Sequence, residues 1–320
     1  MNIPEKKLID MYYYMKLGRS VEHNLELLYR QGQLPGAIYS GIGQEATYVG
    51  AASALKDGDA LATTHRDMSA LLVRGITPKD VMAQHFGKVT SPTKGRGEDN
   101  YLGNLSLGIF TSVSMLPDLY PVATGAALYF RRKQKNNVAM AFCGEGASVR
   151  GDFHETLNWA SVFNLPVVFM VVNNQFAYST PTIKEMKIAN VADRAACYSM
   201  EGRVVDGNNV REVFEVTKAA VDKARSGSGP TLIEAKTMRM KGHAGHDPAD
   251  YVPKQLLDEW ARKDPILRFE KYLHEQNYIN EENKSKVEKE IEEQVGEAIS
   301  FAKESPYPDP STLTTGVYRD

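Results

Sequence analysis

A carboxylate and a carboxamide, each at the end of an apolar run, carry the first chemical signal in this chain. Val138–Cys143 is apolar and stops at Gly144-Glu145-Gly146, and Val167–Val172 is apolar and stops at Asn173-Asn174. Carboxylate and amide oxygens are hard donors. With a free backbone carbonyl just past the second run they would make half of an octahedral shell. Magnesium is held by few protein ligands, and phosphates or water complete its shell. Gly144 and Gly146 let backbone approach such phosphates, and the amides opening the next helix would face their charge. An acidic turn alone is an ordinary feature of a strand-to-helix junction. Its pairing with Asn-Asn across one crossover is what singles it out.

These residues can meet only if the elements between them are arranged correctly. Asp152 to Phe163 places Phe153, Thr156, Leu157, Ala160 and Phe163 at helical spacing, and Pro166 bounds the second run. Two buried strands joined by one helix run parallel with a right-handed crossover. As neighbours they open their carboxyl ends on one sheet edge, where open α/β sheets bind ligands. Asp59–Thr63 is a further short strand, followed by Thr64-His65-Arg66-Asp67. A guanidinium at that edge suits a diphosphate, because its fork matches phosphate oxygens.

The same reading extends to the rest of the chain. Arg203–Asp206 and Thr231–Lys236 read as strands flanking an amphipathic helix that carries Val210, Val213, Phe214, Thr217, Ala220, Val221 and Ala224. Ser226–Pro230 stops that helix. The expected fold class is α/β, a mostly parallel sheet of at least five strands with helices on both faces and helical extensions at both ends. Residues 1–33 are helical, with Tyr14, Leu17, Val21, Leu25 and Leu28 on one face. Tyr12 to Tyr14 either close the core or face a neighbouring chain. Gly41–Ala46 opens a helix to about Leu55, and Val122–Lys133 forms an Ala/Gly-rich one. Residues 87–108 are the longest aperiodic stretch, of the kind that is usually functional or disordered. Residues 254–305 are helical and densely charged, and the segment from Ser305 on is extended, packing on a partner or trailing. The partition is 1–33, 34–253 and 254–320.

Composition sets outer bounds. The chain has 320 residues, 42% hydrophobic and 24% charged, with net charge −2. That charge balance offers no electrostatic footprint for nucleic acid or an anionic membrane. Cys143 and Cys197 lack metal spacing and read as buried thiols of a reducing compartment. No apolar run reaches a membrane span, and the N-terminus carries no signal or Arg-rich transit pattern, so a cytoplasmic protein is expected.

The wording of the motifs adds a family. GEGASVRGDFHE followed by NN resembles the magnesium–thiamine diphosphate motif. The surrounding ASVRGDFHETLN, FNLPVVF and NNQFAYSTP resemble the α subunit of two-subunit 2-oxo acid dehydrogenases, the thiamine-dependent decarboxylating component. The resemblance runs from about Leu34 to Pro265 and includes the GQEA segment at Gly43–Ala46.

This resemblance implies a set of roles. Glu145, Asn174 and the backbone carbonyl of Phe176 would bind magnesium. His65, Arg66, Gly144, Gly146 and Ala147 would surround the cofactor diphosphate, and the loop within 87–108 would face phosphate and substrate. Ser114 and Leu116 fall where the family contacts the aminopyrimidine, Leu116 as the wedge that bends the cofactor. Gly242-His243 with Asp247-Pro248 matches the family's catalytic loop, which makes His243 catalytic and cofactor-contacting. Ala244 stands where regulated members carry a phosphorylatable serine, and His246 reads as solvated. The serine at 114 resembles branched-chain enzymes more than pyruvate or acetoin ones, and Tyr39 replaces a histidine of pyruvate enzymes.

The implied activity is decarboxylation of a 2-oxo acid on thiamine diphosphate, with acyl transfer to a lipoyl-bearing acyltransferase. The family splits cofactor binding between two chains, so a β subunit in an α2β2 assembly is expected to supply the glutamate that activates the pyrimidine. His243 would act as a general acid–base group. Its loop is expected to have no apolar stripe to hold it down and to order when cofactor binds. Acetoin cleavage remains an alternative within the family. A dinucleotide oxidoreductase is disfavoured because GEGASVRG lacks the GxGxxG spacing. A non-catalytic scaffold subunit is disfavoured by the intact Glu145, Asn174 and His243.

Overall fold

The computed structural model describes residues 3–97 and 100–316. Glu98 and Asp99 of the 87–108 loop, and residues 317–320 of the tail, lie outside the described residues. The strands are β1 Ala60–Ala62, β2 Ile109–Phe110, β3 Ala139–Gly144, β4 Val167–Asn173, β5 Phe176–Ala177, β6 Thr180–Pro181, β7 Glu201–Asp206 and β8 Thr231–Lys236. The helices are α1 Glu5–Arg30, α2 Glu45–Ala52, α3 Met68–Val73, α4 Pro78–His85, α5 Leu119–Arg132, α6 Gly151–Val162, α7 Thr182–Glu185, α8 Val210–Arg225, α9 Lys254–Ala261, α10 Pro265–Glu275 and α11 Glu281–Glu304.

Six strands form one sheet in the order β2-β1-β3-β4-β8-β7, every neighbouring pair parallel, and β5-β6 is a separate antiparallel hairpin. The expected β3–α6–β4 crossover is present, with Ala139 opposite Val167 and Gly144 opposite Val172. That register levels the two carboxyl ends. Alternation along the strands explains why both read as continuous apolar runs. Met140, Phe142, Val168, Met170 and Val172 join one buried cluster with residues of α1, α2, α8 and α10. Ala139, Ala141, Cys143, Val167, Phe169 and Val171 join another with residues of α5 and α6.

On α8 all seven residues singled out by periodicity are buried. On α1, Leu17, Val21, Leu25 and Leu28 are buried as expected, and Met11, Tyr12 and Met15 widen the stripe. Tyr12 donates to Glu270 at 2.8 Å and Tyr13 to Gln294 at 3.0 Å, so these two hydroxyls reach α10 and α11 of their own chain.

Two expectations need correction. Cys197 is exposed, and only Cys143 is buried. The described part of the tail lies against its own chain: Val89 N donates to Pro306 O at 3.0 Å, and Lys88 Nζ sits 3.7 Å from the Tyr307 ring centre. Between β3 and α6 the chain makes a 3-10 turn, Gly146–Val149, and α6 opens at Gly151, one residue before the expected Asp152.

Candidate active site

The carboxyl ends of β1, β3, β4 and β8 surround a cavity of about 440 Å³. His65, Arg66, Ser114, Leu116, Gly144, Glu145, Gly146, Ala147, Asn174, Phe176 and His243 all line it. The structure therefore brings together every residue that the sequence singled out for the site. Leu116 is half-buried at the cavity wall and does not belong to the buried core.

Glu145 and Asn174 meet as the register requires. Glu145 Oε2 accepts from Asn174 N at 3.2 Å, while Oε1 is buried with no hydrogen-bond partner. Burial pushes the Glu145 carboxyl up to about 7. Asn174 Nδ2 donates to Gln44 at 3.3 Å, which fixes the amide and leaves Oδ1 with only a 3.5 Å contact from Phe176 N. The Phe176 carbonyl accepts from Arg239 Nη1 at 3.2 Å and retains a second lone pair. Among the described residues no cluster of three His, Cys, Asp or Glu could hold a metal. The donors at hand are one carboxylate, one amide oxygen and one main-chain oxygen. A hard divalent cation fits this set, because it would give Glu145 Oε1 the partner it lacks.

The two glycines of the turn differ in their use. A Cβ on Gly146 would lie 2.4 Å from the Ala177 Cβ, so this glycine admits the β5-β6 hairpin. A Cβ on Gly144 would meet nothing within 4 Å.

Two buried guanidiniums, Arg66 and Arg239, line the same cavity as the carboxylate. Arg66 donates to Ser40 O at 3.0 Å and His243 O at 3.1 Å. Arg239 donates to Phe176 O, Tyr178 O at 2.7 Å and the Tyr251 hydroxyl at 2.6 Å. Both are at least 95% buried, and among the described residues neither forms a salt bridge with a carboxylate. A buried cation without a counter-ion is costly. A diphosphate in the cavity would remove that cost, so these residues fit one.

His243 occupies an aromatic corner. Its ring lies 5.4 Å from Tyr39, 6.0 Å from His65 and 4.6 Å from Tyr178. Its main-chain N donates to Asp247 at 2.6 Å, and Asp247 also accepts from the Tyr251 hydroxyl at 2.6 Å. Burial first, then Arg66 and Arg239, lowers His243 to about 4. The histidine is thus neutral at pH 7 in this cavity. The loop also has apolar anchorage. Val252 is buried with Phe176 and Met238, against Tyr251, Leu257 and Trp260. The expectation of no apolar stripe fails because those residues come from both ends of the loop, from β5 and from α9. His246 is exposed, as expected.

No described residue of the 87–108 loop lines the cavity, although the Tyr101 hydroxyl contacts Ser114 Oγ. Sequence reasoning named neither Arg239 nor Tyr178 among the site residues. An arginine flanked by methionines just past β8 repeats the logic that identified Arg66, and could have been recognised. Tyr178 gives no such signal.

The dehydrogenase E1 component family matches residues 13–311. This chain belongs to that family. It is similar to the α subunit of acetoin:2,6-dichlorophenolindophenol oxidoreductase from Bacillus subtilis (strain 168), 37% identical over 319 residues, covering 99% of this chain and 95% of that one. It is equally similar to the 2-oxoisovalerate dehydrogenase α subunit of the same organism, 37% over 321 residues, covering 99% and 97%. The chloroplastic pyruvate dehydrogenase E1 component subunit alpha-3 of Arabidopsis thaliana is 33% identical over 324 residues, covering 99% and 76%. As an E1 α subunit of the 2-oxo acid dehydrogenase family, the chain sits among relatives named for three different substrates. Among the described residues no helix is long and apolar enough to cross a membrane.

Proposed function

We propose that this E1 α subunit binds thiamine diphosphate with magnesium and, with a β chain in a cytoplasmic α2β2 assembly, decarboxylates a 2-oxo acid. Branched-chain substrates are favoured and pyruvate is the second candidate, with the acyl group passing to a lipoyl carrier. The observation that carries this reading is the charge arrangement in the cavity: two buried guanidiniums with no carboxylate in salt-bridge contact among the described residues, lining the same cavity as one buried carboxylate oxygen without a hydrogen-bond partner. Acetoin cleavage is the second reading, favoured by the 37% identical acetoin relative.

Thiamine diphosphate, when bound, supplies the carbanion chemistry that lets a 2-oxo acid lose carbon dioxide and pass on its acyl unit. The chain's own residues supply position and field. Arg66 and Arg239 hold diphosphate charge, with Gly144, Gly146, Ala147 and His65 around it. Glu145, Asn174 and the Phe176 carbonyl hold magnesium. Leu116 and Ser114 flank the pyrimidine side. His243, neutral, would offer its Nε2–H as a hydrogen bond to an oxygen or sulfur anion of substrate or carrier. Met115, Val122, Val149 and Ile183 are exposed apolar side chains on the segments around the cavity. Such a rim suits a partner chain that completes the site.

The test combines the α chain with its β chain, magnesium and thiamine diphosphate, and assays pyruvate, branched 2-oxo acids and acetoin. Turnover that requires all components, highest on a branched 2-oxo acid, is expected. Turnover by α alone, or cofactor binding indifferent to magnesium, would overturn the reading.

A further inference from the structure

Tyr178 is the first residue between β5 and β6, at φ +52°, a left-handed conformation sparsely populated by aromatic residues. The turn itself would favour Asn or Gly, so local backbone chemistry does not account for a tyrosine here. Its ring lies 4.6 Å from the His243 ring at an interplanar angle of 56°, and stacks at 6.4 Å on Tyr251. It is half-exposed and lines the cavity. Its backbone is fixed, because Arg239 holds the Tyr178 carbonyl at 2.7 Å.

His243 is held at both main-chain atoms, by Asp247 and Arg66, but its ring still turns about two side-chain bonds. Tyr39 and His65 also meet that ring, both buried more deeply than Tyr178. Tyr178 is the partner that joins it to the solvent-exposed surface of the site. We infer that Tyr178 is a positioning residue for the acyl-transfer half of the reaction, holding the His243 imidazole with Nε2 toward the arriving carrier. This rests on the functional reading above. Aromatic contact fixes the ring plane. The hydroxyl has no hydrogen bond among the described residues, so the ring, not the oxygen, carries the role.

The experiment uses the α–β assembly loaded with thiamine diphosphate and magnesium, comparing wild type, Tyr178→Phe and Tyr178→Ala. Two rates are read: decarboxylation coupled to an artificial electron acceptor, and acylation of a lipoylated carrier domain. Tyr178→Ala should slow carrier acylation by ~10–100-fold while decarboxylation stays within about threefold, since small misplacements of a reacting group cost that much. Tyr178→Phe should match wild type in both. Unchanged acylation in Tyr178→Ala, or equal losses in both rates accompanied by weaker cofactor binding, would overturn the inference. So would failure of Tyr178→Phe to restore the rate. A wild-type assembly inert toward every substrate tested would instead refute the functional reading beneath it.

Discussion

Arg66 Nη2 lies 3.4 Å from His243 Nδ1 and 3.1 Å from the carbonyl oxygen of the same residue. A guanidinium only donates, so this contact favours the neutral tautomer with the lone pair on Nδ1 and the proton on Nε2. The folded ring is held near 4 by burial and by two arginines, whereas in the unfolded chain it titrates near 6.5. The folded state therefore binds fewer protons in that window. Stability attributable to this group is intact above pH ~6.5 and falls as pH drops toward 4. By NMR, the His243 imidazole of the isolated α chain should show no titration between pH 6 and 8. Arg66→Gln should move its midpoint upward. A wild-type midpoint near 6.5 would contradict the lowering by burial and the two arginines.

Much of this site was legible because it depends on strand ends. β3 and β4 announce themselves as apolar runs, and a parallel register then obliges Glu145 and Asn174 to meet. Arg66 follows from the same logic at β1. Tyr178 was not legible, because its contact with His243 depends on a two-strand hairpin that folds back over the cavity, and no periodicity marks a hairpin so short. The anchorage of the His243 loop was hidden for a related reason. Met238 and Val252 lie at opposite ends of the loop and share one buried cluster with Phe176 of β5. Cys197 was misread because its neighbours look mixed, and the 3-10 turn carrying it leaves it at the surface.

Glu145 should separate cofactor binding from folding. Its carboxyl is raised to about 7 by burial, so it stabilises the cofactor-free chain only while protonated, and that contribution is lost as pH rises from about 4.5 through 7. At pH 8 Glu145→Gln should leave the cofactor-free melting temperature equal or a few degrees higher. The same variant should lose magnesium-dependent thiamine diphosphate affinity by ~100-fold or more. Calorimetric titration and thermal unfolding on one preparation check both halves. Normal holoenzyme formation by this variant would sink the assignment.

Glu22 offers a test of the scaffold behind Arg66. It is fully buried, accepts from Ser40 Oγ at 3.0 Å and Gly41 N at 2.7 Å, and is raised to about 8 by burial and then by Glu45. The protonated form is the one that folding favours, so its contribution is full below pH ~4.5 and disappears as pH rises through 8. Glu22→Gln keeps an acceptor for both hydrogen bonds and removes the buried charge. Its melting temperature should equal wild type near pH 5 and exceed it by a few degrees at pH 9. A variant less stable at both pH values would mean that the charge itself is needed.

The histidine loop should respond to ligand in one part and not in another. Arg239 holds Phe176 O, Tyr178 O and the Tyr251 hydroxyl; Tyr251 in turn reaches Asp247, which holds His243 N. Val252 is buried beside Met238, so the C-terminal half of the loop already has apolar burial to offset its ordering entropy. Residues 242–246 lack such burial except at Ala244, and Gly242 and Gly245 flank His243. Adding thiamine diphosphate, magnesium and β chain should therefore raise hydrogen-exchange protection at 242–246 while 249–253 changes little. Tyr251→Phe removes the link between Arg239 and Asp247 and should spread the ligand response across both halves. Equal protection of 242–246 in every state would show that the loop is preformed, leaving its ordering no part in catalysis.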